Sequence, residues 1–302
     1  MPRALDRRRF LKTGAAALAA LGASGRRSLR AIEPFARRPS TRLKLSCAAY
    51  SLRKYLELSR AAMRLEDFIA RCAEWGTDGV ELTEYYFPKP LTPEYVLRLK
   101  RLAILSGQDV TGTPIGNRFT LPPGEERDRE IERVKAWIDV SAELGSPAIR
   151  IFAGNAPSGV GEAQARKWVA ECVEACADRA AKRGVFLALE NHGGVVATAE
   201  GLLEIVRAVR CEWFGVNLDT GNFHSEDPYA EMALAAPYAV TCQLKVEVQA
   251  RGRPREETDV PRVVEILRKA GYRGYLTLEY EGAEEPLEAV PRYLEKMRAA
   301  IG

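Results

Sequence analysis

Four polar residues each close a short apolar run late in the chain. Glu190 ends "LALE", Asp219 ends "VNLD", Gln243 ends "VTCQ" and Glu279 ends "LTLE". A polar group at the end of a buried run is costly unless it is paired. If these runs come together, three carboxylates face one another, repel, and take up protons unless a cation holds them. A divalent metal removes that conflict, so Glu190, Asp219, Gln243 and Glu279 are expected to bind one ion. Lys245 lies two residues past Gln243, on the same face of an extended strand. It is expected to hold a substrate oxygen or steady an enolate, or else to pair with a carboxylate. His192 lies two past Glu190, and the same alternation places it to hydrogen-bond a substrate hydroxyl.

Such residues need elements that all end in one place. From residue 44 onward, short β-branched runs alternate with longer stretches of helical period. The expected strands are 44–50, 78–83, 109–115, 148–153, 185–191, 214–219, 239–246 and 275–280. Glycine follows the expected helices at Gly76, Gly107, Gly145, Gly184 and Gly271, each just before a strand. It is favoured there because it reaches the left-handed C-cap conformation without strain. In the helix expected at 259–270, Thr258 or Asp259 caps the start, and Val260, Val263, Val264 and Leu267 line one face. Eight strand-then-helix units in this length match a single (β/α)₈ barrel, whose chemistry sits at the C-terminal ends of its strands. A doubly wound open sheet would favour a glycine-rich first turn, and "CAAYSLRKYL" has none.

The segments "LALENHGG", "VNLDTGNF", "QLKVEV" and "LTLEYEG" carry a more specific signal. In this order and spacing they resemble the sugar phosphate isomerase/epimerase family, the xylose-isomerase-like barrels, over residues 44–302. The resemblance implies a Glu, an Asp, a His and a Glu around one divalent metal, with the first and last Glu as acid/base groups flanking a sugar. Glu190, Asp219 and Glu279 match the carboxylate places. Gln243 stands where the family has its metal histidine, and Asn222 where many members have another. With Gln243 ligating through its amide oxygen, the set is all oxygen and suits Mn²⁺ or Mg²⁺ better than Zn²⁺. The implied activity is that of a metal-dependent sugar isomerase or epimerase. It moves a proton next to a carbonyl through a metal-bound enediolate. Glu190, Glu279 and Lys245 are then catalytic, while His192, Asn222, Arg150 and one of the two strand 2 carboxylates, Glu84 or Glu81, face the substrate. The alternatives are a keto-sugar lyase or dehydratase on the same barrel, and a non-catalytic carbohydrate-binding barrel, which Gln243 and Asn222 favour. The chain has two histidines, His192 and His224, too few for the three-zinc cluster of the endonuclease IV type that shares this fold.

Charge agrees with that exclusion. The net charge is +4, yet residues 1–40 hold ten Arg/Lys against Asp6 and Glu33, a local +8, which leaves about −4 for residues 41–302. An acidic body argues against nucleic acid as a partner. The leader "RRRFLKTGAAALAALGASG" resembles a twin-arginine export signal, so residues 1–25 are expected to engage that machinery and deliver the protein to the periplasm. Residues 26–41 read as a polar linker and residues 42–302 as the barrel. No run of 18 apolar residues appears, so no permanent membrane span is expected. The six cysteines fall inside expected strands and helices and read as core. Tyr50, Phe87, Phe119 and Trp213 are packing residues by default and possible walls for a sugar ring. Asn117, Arg118 and Asn155 fall in loops suited to substrate contact, and assembly into a homo-oligomer is compatible with all of this.

Overall fold

The computed structural model describes residues 32–37, 42–60 and 62–302, so the expected export signal lies outside the described residues. Among the described residues ten strands are formed: β1 Lys44–Ala48, β2 Gly79–Glu81, β3 Asp109–Gly112, β4 Ala148–Ile151, β5 Phe186–Glu190, β6 Phe214–Asp219, β7 Ala239–Leu244, β8 Glu247–Val248, β9 Glu256–Glu257 and β10 Tyr275–Leu278. The returning helices are α1 Leu65–Glu74, α2 Pro93–Leu105, α3 Glu125–Leu144, α4 Glu162–Arg183, α5 Ala199–Ala208, α6 Pro228–Ala235, α7 Val260–Lys269 and α8 Pro286–Ile301. Eight strands pair in parallel in the order β3-β2-β1-β10-β7-β6-β5-β4. Just beyond the end of β3, the Thr113 amide donates to Ala148 O at 3.1 Å and the Ile115 amide to Arg150 O at 3.1 Å. These two bonds close the (β/α)₈ barrel.

Local sequence accounts for the helices. The Asp259 side chain accepts from the Arg262 amide, Pro261 occupies the first turn, and Val260, Val263, Val264 and Leu267 are buried against the sheet. Gly145 and Gly184 end α3 and α4 in the left-handed conformation, at φ of 83° and 66°. That region strains any residue with a Cβ. All six cysteines are buried free thiols.

Most strands stop short of the expected boundaries. Strand 214–219 is matched, but 78–83 shrinks to Gly79–Glu81 and 109–115 to Asp109–Gly112. Past these points single backbone bonds still tie neighbouring segments, such as the Leu82 amide to Gly112 O at 2.9 Å and the Glu84 amide to Pro114 O at 2.8 Å, before the chain enters its loops. The β8–β9 hairpin was not expected; it folds inside the loop after β7. Trp213 lies before β6, against Phe186 at 5.0 Å between ring centroids, at the end of the barrel opposite the site. It is not a wall of the site. Part of the segment read as linker also packs there: the Phe35 ring meets Phe186 edge-on, and its amide donates to Pro237 O. Among the described residues, no helix is long and apolar enough to cross a membrane.

Candidate active site

The alternation of inward and outward residues delivers a connected polar group to the mouth. Glu190 ends β5 and Asp219 ends β6. Gln243 lies near the end of β7, and Glu279 follows β10 directly, its amide donating to Leu244 O at 2.9 Å. Glu190, Asp219, Gln243 and Glu279 are at most 5% exposed. Two expected substrate residues, Arg150 and Asn222, join them, as does Lys245, expected to be catalytic. Arg150 Nε lies 2.8 Å from Glu190 Oε2, and Asn222 Nδ2 donates to Glu190 Oε1 at 3.0 Å. Lys245 Nζ lies 2.8 Å from Glu281, 3.2 Å from Glu279 and 3.6 Å from Asp219.

Asn217 and Glu281 were not singled out from the sequence. Asn217 Nδ2 donates to Gln243 Oε1 at 2.6 Å and to Glu190 Oε2 at 3.3 Å, while its own Oδ1 accepts from Thr241. Gln243 Nε2 donates to Glu81 Oε1 at 2.7 Å. Asn191 ties β5 to β6 by bonding both the amide and the carbonyl of Asp219, each at 2.9 Å. The signal for Asn217 was present: it stands two residues before Asp219 in "VNLD", so both face inward. Glu281 likewise stands two past Glu279. Gly221 has a different reason to be small, because a Cβ there would sit 2.5 Å from Lys245 Cγ.

Two expected substrate residues lie elsewhere. Of the two carboxylates near the end of β2, Glu81 points to the axis, whereas Glu84 pairs with Arg133 at 2.7 Å on the rim. His192 does not share the Glu190 face, because the chain turns as soon as β5 ends, with the His192 amide bonded to Glu190 O. Its ring is exposed and rests on Phe152 at 4.5 Å between centroids. His224 is exposed, with Nδ1 beside Gln249 O. Phe87 and Phe119 are core, while Tyr50 stands at the mouth with its ring 5.9 Å from Lys245 Nζ.

Charge in this group is balanced from within. Burial pushes the Asp219 carboxyl well above the usual carboxylate range, against the pull of Lys245. Burial also raises Glu279, again opposed by Lys245, with Glu190 adding to the rise. Glu81 is pushed up to about 8, by burial first and by Glu279 next. Burial disfavours the Lys245 ammonium, but Asp219, Glu279, Glu281 and Glu190 outweigh it and its pKa rises.

Among the described residues, no three His, Cys, Asp or Glu side chains are grouped to hold an ion. The reasons are visible in the contacts. Lys245 stands between Asp219 and Glu279, Arg150 takes Glu190, and Gln243 is engaged at both ends of its amide. Asp219 Oδ2 is buried without a hydrogen-bond partner, with that ammonium 3.6 Å away. In this arrangement the donor set does not fit a divalent ion, and Lys245 supplies the compensating charge.

Two cavities open on this face. One, of about 100 Å³, is lined by Asn222, Lys245 and Glu281 with residues of the β8–β9 hairpin. The other, of about 450 Å³, lies among the loops after β3, β4 and β5.

Solved proteins share this architecture. D-psicose 3-epimerase from Clostridium cellulolyticum H10, solved with D-tagatose, superposes with a TM-score of 0.72 at 17% identity, covering 86% of this chain and 99% of that one. The 3-keto-D-glucoside 4-epimerase of E. coli gives 0.65 at 16% identity, covering 85% and 99%. A xylose isomerase-like barrel protein from Mycobacterium smegmatis, in complex with magnesium, gives 0.65 at 15%, covering 86% and 98%. No curated protein matches by sequence. The profile of one family matches residues 69–299. The chain therefore belongs to the xylose isomerase-like TIM barrel family.

Proposed function

We propose that this protein is a sugar isomerase or epimerase that moves a proton on the carbon next to a carbonyl. The observation that carries the reading is the buried, charge-balanced group at the mouth. It brings Glu190 and Glu279 to one mouth from strands three places apart in the sheet, the first paired with Arg150 and the second with Lys245. One carboxylate removes the C–H proton, and the electron pair moves onto the carbonyl oxygen to form an enediolate. The Lys245 ammonium is placed to stabilise that oxyanion, a role for which a fixed cation in a dry site is well suited. Return of the proton from the opposite face by the second carboxylate epimerises the carbon. Return at the neighbouring carbon isomerises the sugar. The epimerases of similar fold support this class of reaction.

The sequence reading of one Mn²⁺ or Mg²⁺ finds support in the neighbour solved with magnesium. In this chain Lys245 answers the same carboxylates, and no step above is routed through an ion. The test is deuterium wash-in from D₂O into keto-sugars, with and without added Mn²⁺, read by mass and NMR. Incorporation with retention of mass supports the proposal. A product lighter by one water makes the protein a dehydratase. Sugar binding without incorporation into any keto-sugar makes it a carbohydrate-binding barrel. The same proposal places the protein outside the cytoplasm by way of its twin-arginine leader.

A further inference from the structure

Glu190 sits between the two cavities on the catalytic face. Asn222, which lines the smaller cavity, bonds Glu190 Oε1 at 3.0 Å. Arg150 holds Oε2 at 2.8 Å, and its guanidinium lies 3.8 Å from the centre of the Phe152 ring, which lines the larger. Small-molecule sites usually occupy about 300–1,000 Å³. The cavity beside Lys245, about 100 Å³, holds only the reacting end of a sugar, whereas the other, about 450 Å³, has room for a whole ring. The large cavity also has the right surface. Phe152, half-buried, and His192 form an aromatic wall, Asn155 stands at the rim, and Leu121 and Pro157 make apolar flanks. Arg118, the cavity's arginine, is already held by Glu126 at 2.8 Å, so a neutral ring suits the cavity better than a phosphate.

We propose that this cavity is a subsite for a second, unphosphorylated sugar ring, so that the natural substrate is a disaccharide or other glycoside carrying the reacting keto-sugar. The inference rests on the proposed function for which end reacts, but binding can be read without turnover. Calorimetric titration compares D-fructose with the disaccharides lactulose and palatinose, each of which carries fructose joined to a second hexose. Wild-type protein is expected to bind at least one disaccharide about tenfold or more tightly than D-fructose. Ala156→Trp, which fills the cavity, is expected to abolish that preference while leaving D-fructose binding within about twofold. Equal affinity for D-fructose and both disaccharides, or a preference that survives Ala156→Trp, overturns the subsite. Deuterium wash-in on the same sugars separates the two proposals: a disaccharide preference in binding without exchange refutes the isomerase reading and keeps the subsite.

Discussion

In the proposed reaction, Glu279 and Glu190 are the residues on which the chemistry turns. A positioned acid or base contributes roughly 10²–10⁴-fold to a rate. Glu279→Gln and Glu190→Gln should each lower deuterium exchange into the substrate by about 10²-fold or more, with the circular dichroism of the folded barrel retained. Exchange at the wild-type rate in either variant would remove that residue from the reaction. Lys245 makes a different prediction, because its ammonium is the internal counter-charge of Asp219 and Glu279. Lys245→Met leaves two buried carboxylates uncompensated. The variant should lose exchange activity and should be stabilised by millimolar Mn²⁺ more than the wild type is, read as a larger upward shift in Tm. An Mn²⁺ response identical in the two proteins would show that Lys245 does not compete for those carboxylates.

At the scale of elements, the site depends on how neighbouring strand ends are tied. Asn191, just past β5, bonds the backbone of Asp219 at the end of β6 through both of its side-chain atoms. Asn191→Ala leaves a buried amide and a buried carbonyl unpaired, a penalty of about 1–3 kcal/mol for each such group. Urea unfolding should show a loss of that order, and activity should fall because Asp219 is no longer fixed. Gly221 governs the fit between the loop after β6 and the strand that carries Lys245. A Cβ at Gly221 would lie 2.5 Å from Lys245 Cγ and 2.6 Å from its Cβ. Gly221→Val should therefore impair turnover well beyond any effect on Tm, because it moves the lysine before it disturbs the core.

For the whole molecule, the buried polar centre makes stability depend on pH. Glu81 titrates at about 8 in the folded protein because burial and Glu279 disfavour its charge, whereas an unfolded glutamate titrates near 4.3. The folded state thus holds a proton that the unfolded state has released. The favourable contribution is complete below about pH 4 and is lost as pH rises through about 8. Thermal melts should show Tm falling by several degrees between pH 5 and pH 8, with a shallower fall in Glu81→Gln. An equal pH slope in the two proteins would contradict the assignment. At the same scale, Arg7→Lys with Arg8→Lys should retain the protein in the cytoplasm of a twin-arginine-competent host, read by fractionation. Unchanged export would remove the signal reading.

The barrel was legible because its information is local and periodic. Apolar runs of strand length recur eight times, glycine follows five of the helices, and several amphipathic stretches carry their own caps; each reflects the conformational preferences of nearby residues. The runs ending in Glu190, Asp219, Gln243 and Glu279 were legible for the same reason: alternation fixes which residues at a strand end face inward. Tertiary structure decided what those residues meet. No local pattern says that Lys245 reaches Glu279 and Glu281, that Arg150 from β4 pairs with Glu190, or that Gln243 is taken up by Asn217 and Glu81. Nor does alternation hold where the chain turns: the His192 amide folds back onto Glu190 O, so its ring turns outward onto Phe152, and Glu84 joins the rim. The sequence by itself determined the barrel and the carboxylates at its mouth. Contacts between strands far apart in the chain decided that, in this arrangement, cationic side chains balance the charge, because electrostatic pairing depends on distance in space and not on separation along the chain.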